Sequence, residues 1–193
     1  MMMGTSLGAP DKPAERRRSG SLPTTLTVAP AVRAWLAVAA LGAGLLHAAL
    51  AASAPLPALI VLVAIGAAEL GWAVVTLARD RPPAVRASLY LALVPVAAWA
   101  AVATVGATSE AGTILALPPL PLAVASALDL AVALTIAVVL RRGRPAAQNT
   151  GAARFLASLA LSAVAVCGVT VPALSVTDAG IGAVTVHLEH GGH

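Results

Sequence analysis

The sequence predicts an all-α polytopic membrane protein, a bundle of five transmembrane helices with its N-terminus inside and its C-terminus outside. Three observations carry this. All 12 Lys and Arg residues fall in four patches, Lys12 to Arg33, Arg79 to Arg86, Arg141 to Arg144, and Arg154. Five long apolar runs lie between them, each about 20 residues, as a hydrocarbon core of about 30 Å requires. Composition agrees: 59% of the 193 residues are apolar and 10% are charged, against about 25% charged in soluble domains.

Taken in order, residues 1–30 are rich in Pro, Ser, Thr, Arg and Gly and have no apolar period. Such a segment buries too little to offset the entropy of ordering and reads as a disordered cytoplasmic arm. Arg16, Arg17 and Arg18 either touch anionic headgroups, at roughly 1 kcal/mol each, or simply fix topology, the weightier reading. The five-span domain covers residues 31–176, with spans at Ala34 to Ala54, Leu56 to Ala78, Ala87 to Gly106, Leu120 to Leu140 and Phe155 to Val176. Lys and Arg translocate poorly, so basic loops held in the cytoplasm orient all five. The opposite side agrees. The turn from Ser53 to Pro57 is uncharged, the loop from Ala107 to Pro119 carries only Glu110, and the extracytoplasmic tail, residues 177–193, carries Asp178 and Glu189 with three His.

The basic residues flank spans rather than gather on one face with aromatics between them, so no nucleic-acid partner is expected. The expected partner is the lipid bilayer. A single Cys167 inside span five precludes an intramolecular disulfide, and the long polar stretch before span one is unlike a signal peptide. Trp35 and Tyr90 read as interfacial anchors. Pro121 suits a first helical position, while Pro95 and Pro172 are expected to bend spans three and five. Close packing must replace the hydrophobic drive between helices in lipid. Small-residue stripes that offer it are Ala40, Gly44, Ala48 and Ala51; Ala67 and Gly71 beside Gly66; and Ala125, Ser126 and Ala133. Five spans do not divide into two equal inverted halves, so a pathway would call for a homo-oligomer or a partner membrane protein.

Chemistry is concentrated in His47, Glu69, Asp129 and Cys167, because an ionisable group at membrane depth is by default a functional-site hypothesis. Each of the first three follows a small residue by three positions and is expected to face a neighbouring helix. Counted at about 1.5 Å per residue from the outer ends, His47 lies about 10 Å deep, Asp129 and Cys167 about 13 Å, and Glu69 about 20 Å. That count favours His47 with Asp129 as metal ligands or a proton relay. It sets Glu69 too far from His47 for a direct hydrogen bond, as a further step of a polar path. The competing reading is structural: buried carboxyls and a satisfied His lock helices, and Cys167 fills space.

The tail offers a second site. His187, His190 and His193 are spaced around Glu189, and two glycines let the end wrap back. Imidazole suits Zn, Cu and Ni, so the tail reads as a metal-capture site; an incidental solvated tail or an expression tag stands against it. Gly-rich phosphate loops, zinc-protease helices, nucleophile elbows and CxxC pairs are missing, so no enzyme activity is expected. With one His in the spans, a bis-His haem within one subunit is excluded.

Gly44-Leu45-Leu46-His47 in span one and Gly66-Ala67-Ala68-Glu69-Leu70 in span two resemble small, Ala- and Leu-rich multi-pass membrane proteins of high-GC bacteria. The resemblance implies a bacterial inner-membrane home and carries no activity. The leading functional expectation is handling or transport of a divalent transition metal. The alternatives are an accessory subunit whose polar residues lock packing, and a proton-coupled exporter of a small solute through Glu69 and Asp129.

Overall fold

The computed structural model describes residues 28–79, 82–106, 117–142 and 151–183, the side chains of 102, 103, 105 and 106 excepted. Five long helices run up and down: α1 (Pro30–Ala51), α2 (Leu56–Ala78), α3 (Val85–Gly106), α4 (Pro119–Arg142) and α5 (Ala152–Ser175). A short helix follows over residues 178–183. Among the described residues, α1, α2, α4 and α5 are each long and apolar enough to cross a membrane, whereas the apolar part of α3, Val85–Ala101, is shorter.

Prolines stand in the first turns of α1 and α2, where a missing N–H removes no helical bond. The first helix accordingly starts at Pro30 instead of Ala34, which brings Arg33 into it. The fourth starts at Pro119, with Pro121 in its first turn. Pro95 and Pro172 lie inside helices that continue through them.

α1 is the hub, packing on α2, α4 and α5, while α3 packs on α4. Its most apolar window is 72% buried, against 22% in α2, 39% in α4 and 17% in α5. The cause is side-chain size. Ala34, Ala37, Ala39, Ala40, Gly42, Ala43 and Gly44 present little bulk on any side, so three neighbours approach at once. α2 and α5 turn Ile60, Val61, Leu161 and Val164 outward, where lipid would solvate them.

The helix ends that carry Arg33, Arg79, Arg86, Arg141 and Arg154 share one end of the bundle, as the up-and-down order requires. There Arg33 Nη1 donates to Arg79 O at 3.3 Å, and its guanidinium lies 5.5 Å from the Phe155 ring centre. The α2–α3 turn at this end is tied by Pro83 O, which accepts from Trp72 Nε1 at 3.3 Å and from Ser88 Oγ at 3.1 Å. Ala84 in that turn is left-handed, with φ 46°. At the opposite end Thr177 Oγ1 donates to Leu174 O at 2.7 Å and accepts from Gly180 N at 3.1 Å. That cap starts the short helix over residues 178–183.

The small-residue stripes are partly corrected. Ala40, Gly44 and Ala51 are buried but Ala48 is exposed, and in α2 both Ala67 and Gly71 face outward. The buried face of α2 is Leu62, Gly66, Glu69, Ala73 and Thr76, the steps of three and four that keep one face of a helix. Ala67 is rotated about 100° from Gly66 and so leaves that face. On α4, Ala125 and Ala133 are buried as expected.

Candidate functional site

The site begins with two glycines. A Cβ on Gly66 would stand 2.9 Å from Gly44 O, and one on Gly44 would stand 3.0 Å from Gly66 O, so the two backbones touch where neither residue has a side chain. This contact fixes the register of the antiparallel α1–α2 pair. His47 lies three residues beyond Gly44 and Glu69 three beyond Gly66, in opposite directions along the bundle. Their backbones are therefore about 9 Å apart along the axis.

Their side chains nevertheless meet, with His47 Nδ1 2.9 Å from Glu69 Oε2. The expectation that Glu69 lies too far from His47 for a direct hydrogen bond is thus corrected. The depth count was sound for backbones but omitted direction. Every Cα–Cβ bond leans toward its own helix N-terminus, and in an antiparallel pair those leans converge. His47 reaches down and Glu69 reaches up, and they meet at the level of the glycines.

Asp129 of α4 completes the group. One ligand-type atom from each of His47, Glu69 and Asp129 lies within 4.8 Å of the other two. Their residues are 0%, 6% and 2% exposed, respectively. His47 with Asp129 as the principal pair therefore gives way to a trio in which Glu69 is the residue bonded to His47. Among the described residues, each member keeps one buried atom with no hydrogen-bond partner: His47 Nε2, Glu69 Oε1 and Asp129 Oδ2. Two like unit charges about 4 Å apart repel by about 4 kcal/mol at an effective dielectric of 20. Both carboxylates can be ionised together here only if a positive charge, imidazolium or metal, stands between them.

The surroundings are apolar. Toward the end of the bundle away from the arginines, Leu50, Ala51 and Leu62 pack with Leu59, Trp99, Leu117 and Leu122. Leu62 and Leu122 precede Glu69 and Asp129 by seven residues each, two helical turns, so they form a layer over the trio. Toward the arginines the larger cluster around Leu36, Ala39, Val132 and Ile136 fills the bundle.

Cys167 does not join the site, because it is exposed on α5. The residues His187, Glu189, His190 and His193 lie outside the described residues. The sequence alone does not single out Thr76, which is fully buried with its hydroxyl unpartnered among the described residues. Its signal was available: it follows Glu69 by seven residues on the same face of α2.

His47, Glu69 and Asp129 are residue types that could hold a divalent metal ion. A zinc ion bonds imidazole nitrogen at about 2.0–2.1 Å and carboxylate oxygen at about 2.0–2.2 Å, which sets tetrahedral ligands about 3.3 Å apart. The 2.9 Å His47–Glu69 contact needs to open only slightly to admit it. Two carboxylates and a neutral imidazole also balance one divalent charge, which matters where water does not screen.

Four apolar helices of membrane-crossing length and a buried His–Glu–Asp trio have the dimensions and composition of a helical integral membrane protein. The chain matches no family model, no curated protein and no solved structure.

Proposed function

We propose that this is a five-span protein of the bacterial inner membrane, N-inside and C-outside, that handles or transports a divalent transition metal such as Zn, Cu or Ni. It has no enzyme activity of its own. His47, Glu69 and Asp129 hold the ion within the bundle, and the tail residues His187, Glu189, His190 and His193 capture it outside. One observation carries the reading: three metal-ligand residues from three different helices converge within 4.8 Å in an apolar interior, each with an unpartnered buried atom. Packing alone is served by a satisfied pair and does not call for a third ionisable residue beside it.

The test is metal titration of untagged, detergent-purified protein with Zn²⁺, Cu²⁺ and Ni²⁺, using the full chain, a chain ending at Val186, and Asp129→Asn. The expected result is stoichiometric binding that survives truncation at lower capacity and weakens at least about 100-fold in Asp129→Asn, more than the 10- to 100-fold typical of residues supporting a ligand. Binding lost wholly on truncation would assign the metal to the tail alone. No binding by any chain, with Asp129→Asn only less heat-stable, would leave the trio as a helix lock in an accessory subunit.

A further inference from the structure

The donor set of the trio narrows what the ion can be, an inference that rests on the metal reading proposed above. Its softness, its charge and its size each exclude something. No helix brings sulfur to the site. The sole cysteine, Cys167, is exposed on α5, and the three methionines are Met1, Met2 and Met3, ahead of all five helices. Thiolate and thioether ligands are what select Cu⁺. Charge works in the same direction: a neutral imidazole and two carboxylates balance a divalent ion, whereas a monovalent one leaves a net negative charge in an apolar interior.

The number of donors excludes the hard divalent ions. The trio supplies one imidazole nitrogen and the oxygens of two carboxylates. Among the described residues the other buried hydroxyls add nothing to it. Those of Ser88, Ser162, Thr170 and Thr177 donate to backbone carbonyls, and Thr76 lies about two helical turns from Glu69. Leu50 and Leu62 on one side, with Leu36, Val132 and Ile136 on the other, offer no donors either. Ca²⁺ takes about six to eight oxygens, and Mg²⁺ demands a near-ideal octahedron and parts with its waters reluctantly. Cu²⁺ and Ni²⁺ favour planar, tetragonal sites, for which a fourth donor in the plane is needed. Zn²⁺ has no such preference from its d electrons and is content with three protein ligands and one further group.

We propose that His47, Glu69 and Asp129 form a tetrahedral Zn²⁺ site whose fourth position is left to an exchangeable ligand, and that this site passes over Cu⁺, Mg²⁺, Ca²⁺ and Ni²⁺. The open position gives an incoming group a place on the ion before any protein ligand lets go, which suits a site that must release what it holds.

The test uses the full chain with His187→Ala, His190→Ala and His193→Ala, so that the tail holds no imidazole, titrated in detergent with Co²⁺ as a coloured stand-in for Zn²⁺. Tetrahedral Co²⁺ has intense visible d–d bands that the six-coordinate ion lacks. The expected result is such bands at about one Co²⁺ per protein, shifted by azide at the open position and absent in Asp129→Asn. Zn²⁺ should bleach them at about one equivalent, while Ni²⁺, Mg²⁺ and Ca²⁺ at about 100-fold excess, and Cu⁺ buffered by bicinchoninate, should not. Weak six-coordinate bands, or bleaching by Cu⁺, Ni²⁺ or Mg²⁺ as readily as by Zn²⁺, would overturn this inference and leave an ion in the trio. Bands that persist in Asp129→Asn would overturn it by taking that carboxylate out of the site. Failure of both Co²⁺ and Zn²⁺ to bind the native trio would overturn the metal reading and this inference together.

Discussion

The two sides of α2 have opposite fates. Toward α1 it presents Gly66, Glu69 and Ala73, comes into backbone contact at Gly44 and buries a hydrogen-bonded ion-pair geometry. Toward α3 it presents Val61 and Ile65, and a cavity remains. Both sides are apolar in composition, so hydrophobicity does not separate them. Lipid tails are as apolar as Leu, and what holds two helices together is how closely they approach and whether polar atoms meet. A seam forms where side chains are absent, and a cleft stays where they are branched.

Breaking the seam should have the largest effect. Gly66→Leu places a side chain against Gly44 O and is expected to lower stability by about 3 kcal/mol, the upper range for overpacking, and to abolish metal binding. Unfolding in mixed micelles and metal titration check it; an unchanged midpoint would show that the glycine contact does not hold the pair. Glu69→Gln keeps the shape and a hydrogen bond to His47 but removes the charge. It is expected to lower stability by about 1 kcal/mol while weakening metal binding at least about tenfold, and equal affinity would remove Glu69 from the ligand set. Asp129→Asn is expected to change stability by less than about 1 kcal/mol, since no protein hydrogen bond to its Oδ2 is lost, yet to impair metal binding most of the single polar changes. Ala98→Phe, on the cleft side, is expected to stay within about 0.5 kcal/mol and leave metal affinity alone. A loss as large as that of Gly66→Leu would mean that the two sides of α2 are equivalent.

Much of this was legible in residue order. The five helices, their alternation and the burial of His47, Glu69 and Asp129 follow from apolar length, charge placement and the small residue three positions before each polar one. The His47–Glu69 bond was not legible from depth alone. It depends on the α1–α2 register, set by a backbone contact between two glycines, and on the opposed lean of side chains in an antiparallel pair. Choosing Ala67 and Gly71 over Gly66 and Ala73 was an error of one residue in rotation, which hydropathy does not resolve when the whole helix is apolar. Cys167 shares the counted depth of Asp129 yet lies exposed on α5, because depth places a residue along the membrane normal but says nothing of where it lies around the bundle.

The central position of α1 has a consequence for biogenesis. Of the five described helices, α1 is made before the others and is the most enclosed in the finished bundle, and its mean hydropathy of 1.8 is below the 2.3 of α2 and α4. It also carries His47, which has no partner until Glu69 is made. With Ala51 and Leu56 separated by a short turn, α1 and α2 are expected to leave the translocon as a hairpin that already holds its polar pair. Nascent chains stalled after Arg79 should then cross-link α1 to α2 before α4 exists. The same chains carrying Glu69→Ala should leave α1 lingering at the insertion site.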